Sequence, residues 1–171
     1  AGTLDPMGNT TINVWINGLL MSSTDGRGLT TTYGYDGARR LILTTDPATE
    51  STTWTYDAAG NPATQTDALG RVTTTVYDVR NRLILLTRPA GDSEATAYDA
   101  VGAVVESVNG RGFQTWTAYD RRGLATAVTE AFGTPQQRTT QYAYDAAGNL
   151  AATIDPRVVN GQHLTTTFAY D

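Results

Sequence analysis

The chain has 171 residues, no Cys, no Lys, 12 cationic side chains that are all Arg, and a formal net charge of −5. Without Cys there is no disulfide framework and no thiolate metal site, and the acidic balance argues against nucleic acid or an anionic membrane surface as a partner. No apolar run approaches the length of about 18 residues that a spanning helix needs, so no membrane insertion is expected. Some thirty Thr, together with Val, Tyr and Trp, favour pleated strands, and 17 Gly fit a chain with many turns.

In chain order, the first segment is degenerate. Asp5-Pro6-Met7-Gly8-Asn9 resembles the second turn of the later units, and Trp15 then falls where a Tyr is expected, ahead of Gly18-Leu19-Leu20. From there a dipeptide recurs in register: Tyr35-Asp36, Tyr56-Asp57, Tyr77-Asp78, Tyr98-Asp99 and Tyr119-Asp120 at steps of 21 residues, then Tyr144-Asp145 and Tyr170-Asp171 at steps of 25 and 26. A fixed period of this size marks a repeat architecture in which each unit is stabilised by its neighbours.

Four residues after each Tyr stand Arg39, Gly60, Asn81, Gly102, Gly123 and Gly148. Gly and Asn tolerate a left-handed backbone, so the chain should reverse there, and Arg39 predicts a strained or differently shaped turn. Six residues after the Tyr comes a mostly apolar ladder of Leu41, Pro62, Leu83, Val104, Ala125 and Leu150, within short segments such as 40–45 and 82–87 that read as strands. A second turn follows at 25–28, 67–70 and 109–112, and with poorer turn formers at 88–91 and 130–133. The second strand then covers 30–35, 52–56, 72–77, 114–119, 139–144 and 165–170. Alternation puts each Tyr on one face with Tyr33, Trp54, Thr75, Thr96, Thr117, Tyr142 or Phe168, and that aromatic face is expected to be buried. The longer steps place insertions in the second turn, at 132–138 with Pro135 and at 156–162.

One repeat is therefore one β-hairpin. The whole chain, 1–171, is read as a single all-β array of about seven antiparallel hairpins pairing edge to edge in a continuous twisted sheet, and as a piece of a longer protein.

The unit typified by Tyr144-Asp145-Ala146-Ala147-Gly148-Asn149-Leu150 resembles the YD repeat of the Rhs family, a pattern shared by Tc toxin complexes, bacterial wall-associated proteins and teneurins. The likeness extends from about Asp5 to Asp171. It implies a sheet that spirals into a shell, a structural role in enclosing or presenting another domain of the same polypeptide, and a secreted or cell-surface bacterial setting.

Candidate chemistry is sparse. Each Asp of the series should accept backbone N–H bonds from the turn it opens, in preference to forming a Ca²⁺ column. The periodic tyrosines are expected to pack hairpins together, in preference to stacking on sugars. Trp15, Trp54 and Trp116 are not periodic, and Trp116 falls on the face opposite Tyr119. His163, the single histidine, is read as a loop residue with no metal or catalytic role. No catalytic residue, metal site or cofactor is expected, since no nucleophile elbow, phosphate loop or zinc motif occurs. Candidate recognition residues sit where the repeat fails: Trp116, Phe132 and His163. The alternatives to a structural role are an adhesive module binding carbohydrate or protein, and edge-to-edge self-association into a filament.

Overall fold

The computed structural model describes residues 2–4, 10–159 and 161–170. The turn expected at Asp5–Asn9 and the last aspartate, Asp171, lie outside the described residues. The chain divides into two compact units, Ala1–Arg82 and Leu83–Asp171. The first holds β1 (Gly2–Leu4), β2 (Thr10–Ile16), β3 (Leu19–Thr24), β4 (Thr30–Tyr35), β5 (Leu41–Thr45), β6 (Ser51–Tyr56), β7 (Pro62–Thr66) and β8 (Val72–Tyr77). The second holds β9 (Leu83–Thr87), β10 (Ser93–Tyr98), β11 (Val104–Val108), β12 (Gln114–Tyr119), β13 (Ala125–Glu130), β14 (Arg138–Tyr144), β15 (Leu150–Val159) and β16 (Gln162–Thr167). Within each unit every strand pairs antiparallel with its neighbour in sequence. The all-β array of antiparallel hairpins is thus what the chain forms.

Both kinds of turn are the same structure. At Asp25, Asp36, Asp46, Asp57, Asp67, Asp78, Arg88, Asp99, Asn109, Asp120 and Asp145, the head residue donates its N–H to the carbonyl four residues on. Its own carbonyl accepts from the N–H three residues on. That third residue is left-handed in every case, from Asn81 (φ 60) to Gly102 (φ 103). This is the three-residue hairpin loop, a type I turn followed by a left-handed residue. The Arg39 turn has the same hydrogen bonds as the rest, so its side chain changes the cost and not the shape: Arg39 sits at φ 67. Thr49 does likewise at φ 70, in the turn headed by Asp46, which carries no Gly to betray it in the sequence. A β-branched residue there is strained by about 1–2 kcal/mol. Thr49→Gly is expected to stabilise the array by about 1 kcal/mol in urea unfolding, since Gly removes the Cβ clash and returns part of the gain as entropy.

The two turns differ in the strands they join. Across Tyr-Asp turns the ladder runs four or five pairs and carries a register shift beside the Tyr: Tyr35 faces Leu41 while Gly34 faces Leu43, leaving Ile42 extra. The same bulge recurs at Tyr56/Pro62, Tyr98/Val104, Tyr119/Ala125 and Tyr144/Leu150. The extra residue flips the alternation, so Leu41 shares the Tyr face and Leu43 does not. Trp15 faces Leu20 across the same shift and so occupies the Tyr place of the first unit, next to a two-residue Asn17-Gly18 turn at φ 50 and 77. Across the other turns β3/β4, β5/β6, β7/β8, β9/β10 and β11/β12 pair for three rungs. There Thr and Ser hydroxyls bond directly across the ladder, as in Thr24/Thr30, Thr45/Ser51 and Thr87/Ser93.

The expectation of a buried aromatic face does not hold. Among the described residues none is buried; the Tyr face is half-covered. Within each unit the strands form one layer of sheet, and a layer covers its own side chains only from the sides.

The two insertions take different forms. The first is a loop at 131–137 between β13 and β14. The second is not a loop: β15 continues to Val159 and pairs back with β16 through Val158/His163 and Val159/Gln162, past an irregularity between Ile154 and Val158. The last strand consequently lies at Gln162–Thr167 and not at 165–170, and Phe168 keeps a single backbone bond to the Ala151 carbonyl.

Candidate functional site

The repeated joint is densely hydrogen-bonded. The carboxylate of Asp36 accepts the N–H groups of Ala38 and Arg40 at 2.9 Å, and its second oxygen takes the Arg40 guanidinium at 2.7 Å. Asp78 does the same with Arg80 and Arg82, Asp120 with Arg122 and Leu124, and Asp99 takes three successive N–H groups, those of Val101, Gly102 and Ala103. At Asp57 and Asp145 an Asn side chain replaces the Arg. The Asx reading of the aspartate series is therefore what the described turns show. These bonds favour the charged form and lower the carboxyl pKa of Asp36, Asp67 and Asp120, chiefly through backbone N–H groups, and of Asp57 and Asp145, chiefly through the Asn amide. Asp78 is lowered to about 2, first by the Arg82 side chain and then by its N–H.

The tyrosines act across the short ladders. Beyond the last rung of these ladders, three rungs long in β3/β4, β5/β6, β9/β10 and β11/β12 and four in β13/β14, a carbonyl of the preceding strand would be left without a donor, and a Tyr hydroxyl supplies it. Tyr35 donates to Leu20, Tyr56 to Leu41, Tyr98 to Leu83, Tyr119 to Val104, Tyr144 to Ala125 and Tyr170 to Leu150, at 2.7–3.1 Å. The acceptor is each time the ladder residue that the sequence marks six positions after a Tyr, or Leu20 in the first unit. Tyr56 also carries the Arg40 guanidinium over its ring at 4.5 Å. Tyr56→Phe keeps the ring and the cation contact and removes the hydroxyl donor. It is expected to cost about 1 kcal/mol in equilibrium unfolding.

One unit departs from this scheme. The carbonyl of Pro62 accepts from the hydroxyl of Thr75, and the Tyr77 hydroxyl makes no hydrogen bond among the described residues. An open cavity of about 400 Å³ lies on the Tyr face here, lined by Trp54, Tyr56, Pro62, Gln65, Thr73 and Tyr77 among others.

The three candidate recognition residues do not converge. Trp116 projects from the face opposite Tyr119, opposite Glu106 and Thr129, as alternation requires. The first insertion brings Phe132 onto it, with ring centroids 5.2 Å apart and planes tilted by 33°, while the Phe132 N–H bonds the Gln114 carbonyl. His163 stands apart, not in a loop but in β16, with Nδ1 3.1 Å from the Asp155 carbonyl. Asp155 itself is held at a pKa of about 2 by the Arg157 side chain and then by its N–H. The Trp54–Tyr77 cavity is not legible in the sequence because Thr75, two places before its Tyr, recurs as Thr96 and Thr117 in units with no such hydroxyl bond, and only the bond to the Pro62 carbonyl sets it apart.

Comparison with known proteins supports this architecture. The RHS repeat model matches residues 17–51, 40–67, 56–93 and 119–157. Among solved structures, the chain is similar to the crystal structure of TcdB2-TccC3-Cdc42, at 22% identity with a TM-score of 0.63 over 92% of this chain and 10% of that one. It is similar to TcdB2-TccC3 at 21% identity and a TM-score of 0.63, with 92% and 10% covered. It is likewise similar to the Photorhabdus luminescens Tc holotoxin pore with the TccC3-D651A mutation, at 22% identity and a TM-score of 0.63, with 93% and 9% covered. The chain thus spans about a tenth of the length of the toxin chains it matches. Comparison with curated proteins gives no match. The family model matches more than half of the chain, and the turns, bulges and hydroxyl bridges recur at its period: the chain belongs to the RHS repeat family.

Proposed function

We propose that this chain is a non-catalytic segment of a β-sheet shell or scaffold that encloses or presents another domain of the same polypeptide, in a secreted or cell-surface setting. The observation that carries the reading is the assignment of its polar chemistry: the aspartates are bonded to their own turns, and six tyrosine hydroxyls are bonded to the neighbouring strand. Groups used this way build sheet and are not presented to a substrate. The likeness to the Tc toxin structures supports the enclosing role. A photo-cross-linker placed in the parent protein at Thr117, on the Tyr face, and at Ala118, on the other, tests it. Cross-links to a distinct domain from one face alone are expected, and equal capture from both faces, or from neither, would refute enclosure.

A second reading, an adhesive surface for a protein partner, rests on the Trp116–Phe132 pair. It is the ring contact among the described residues and lies where an insertion interrupts the repeat, with both rings about two-fifths exposed. A partner that binds the native chain and loses affinity on Trp116→Ala would favour it.

A further inference from the structure

We infer that the cavity between β6 and β8 on the Tyr face is a binding site for a neutral saccharide. Its walls come from Trp54 and Tyr56 on one side and Tyr77 on the other, and Pro62 and Gln65 of β7 lie between them. The site exists because two features coincide there. Thr75, like Thr96 and Thr117, is small where Tyr33, Trp54 and Tyr142 carry a ring in other units, and its hydroxyl, by bonding the Pro62 carbonyl, releases Tyr77 from its bridging duty.

Three features select the ligand. The volume, about 400 Å³, lies in the range of small-molecule sites. No lining residue carries a formal charge, so an ionic ligand would lose hydration without gaining a counter-charge. The hydrogen-bonding groups at the aromatic walls are unspent: the Gln65 amide and the Thr73 and Tyr77 hydroxyls make no side-chain hydrogen bond among the described residues. Aromatic planes bordered by free amide and hydroxyl groups match a pyranose, whose C–H face packs on a ring while its hydroxyls need donors and acceptors at the edge. One face of Tyr56 is already occupied by Arg40, so stacking falls to Trp54 and Tyr77.

The test is a glycan array carrying neutral and acidic saccharides together with a proline-rich peptide, probed with the native chain and with Trp54→Ala, Thr75→Tyr and Trp116→Ala. Thr75→Tyr fills the cavity with a residue the array carries at the equivalent place in other units, so folding is expected to survive, as circular dichroism melting would show. Retention of neutral glycans is expected for the native chain and Trp116→Ala, with a loss of about tenfold or more in both cavity variants. No neutral glycan retained, preference for acidic glycans or for the peptide, or retention unchanged in a folded Thr75→Tyr would overturn the proposal. Because the scaffold reading is tested by cross-linking in the parent protein, the two can fail separately.

Discussion

Between about pH 5 and pH 2 the array is expected to lose thermal stability, in a transition set chiefly by its turn aspartates. The carboxyl pKa is depressed in Asp25, Asp36, Asp57, Asp67, Asp78, Asp120, Asp145 and Asp155. An unfolded Asp titrates near 3.9. A folded group with a lower value binds fewer protons than the unfolded chain between the two values, so stability rises with pH there and is lost on acidification. The contribution is fully present above about pH 5 and gone once the pH falls through the folded values, which reach about 2 for Asp78 and Asp155. Each joint is half-exposed and its ion pair contributes little by itself; the effect accumulates because the same shift recurs in seven turns and at Asp155 of β15. Thermal melts from pH 6 to 2 would show it. Asp78→Asn provides the control, since Asn109 heads a turn of the same form with an amide oxygen: the variant should start less stable and show a shallower pH dependence. A melting temperature unchanged down to about pH 2.5 would mean that the turn carboxylates do not hold the hairpins.

Most of the element pattern was legible because it is written in local chemistry. The strand boundaries at Thr30–Tyr35, Val72–Tyr77 and Gln114–Tyr119 follow directly from Tyr-Asp at one end and a turn at the other. The turn at Asp46 was not legible, since Thr49 occupies a left-handed position normally marked by Gly, and neighbouring units impose the conformation. The Asn17-Gly18 turn lies outside the period, since a two-residue loop stands there in place of the Tyr-Asp loop of later units, although Asn-Gly by itself is a strong hairpin signal. The bulge beside Tyr35, Tyr56, Tyr98, Tyr119 and Tyr144 is not legible in the sequence: alternation puts Leu41 and Leu43 on one face, and a single unpaired residue separates them. Burial is not legible for the same reason that periodicity is informative. Aromatic recurrence reports contact between hairpins, and in one layer that contact is lateral. In the candidate sites, sequence spacing gave the face of Trp116, but only the path of the 131–137 loop brings Phe132 to it. The second insertion looked like a loop because of Pro156, whereas its flanking residues extend the ladder.

The building unit of the array is a pair of strands, about 21 residues, and not the single strand and turn that recurs every 10 or 11. The turns alone do not distinguish these, since both kinds share one hydrogen-bond pattern. The faces do. Removing residues 99–119 joins Tyr98 to Asp120, so every later strand keeps its direction and every later Tyr its face. Removing residues 99–108 joins Tyr98 to Asn109 and sets Tyr98 where Val108 stood, opposite Gln114. Later strands can then stay antiparallel only by turning over, which moves Tyr119, Tyr144 and their acceptor carbonyls to the other face and misplaces the bulges. The discriminating measurement is equilibrium unfolding of these two deletions beside the native chain. A cooperative transition is expected for the 21-residue deletion, with a slightly smaller denaturant slope in proportion to the surface lost, and a broad, strongly weakened transition for the 10-residue deletion. Equal stability and cooperativity in the two deletions would contradict the two-strand unit.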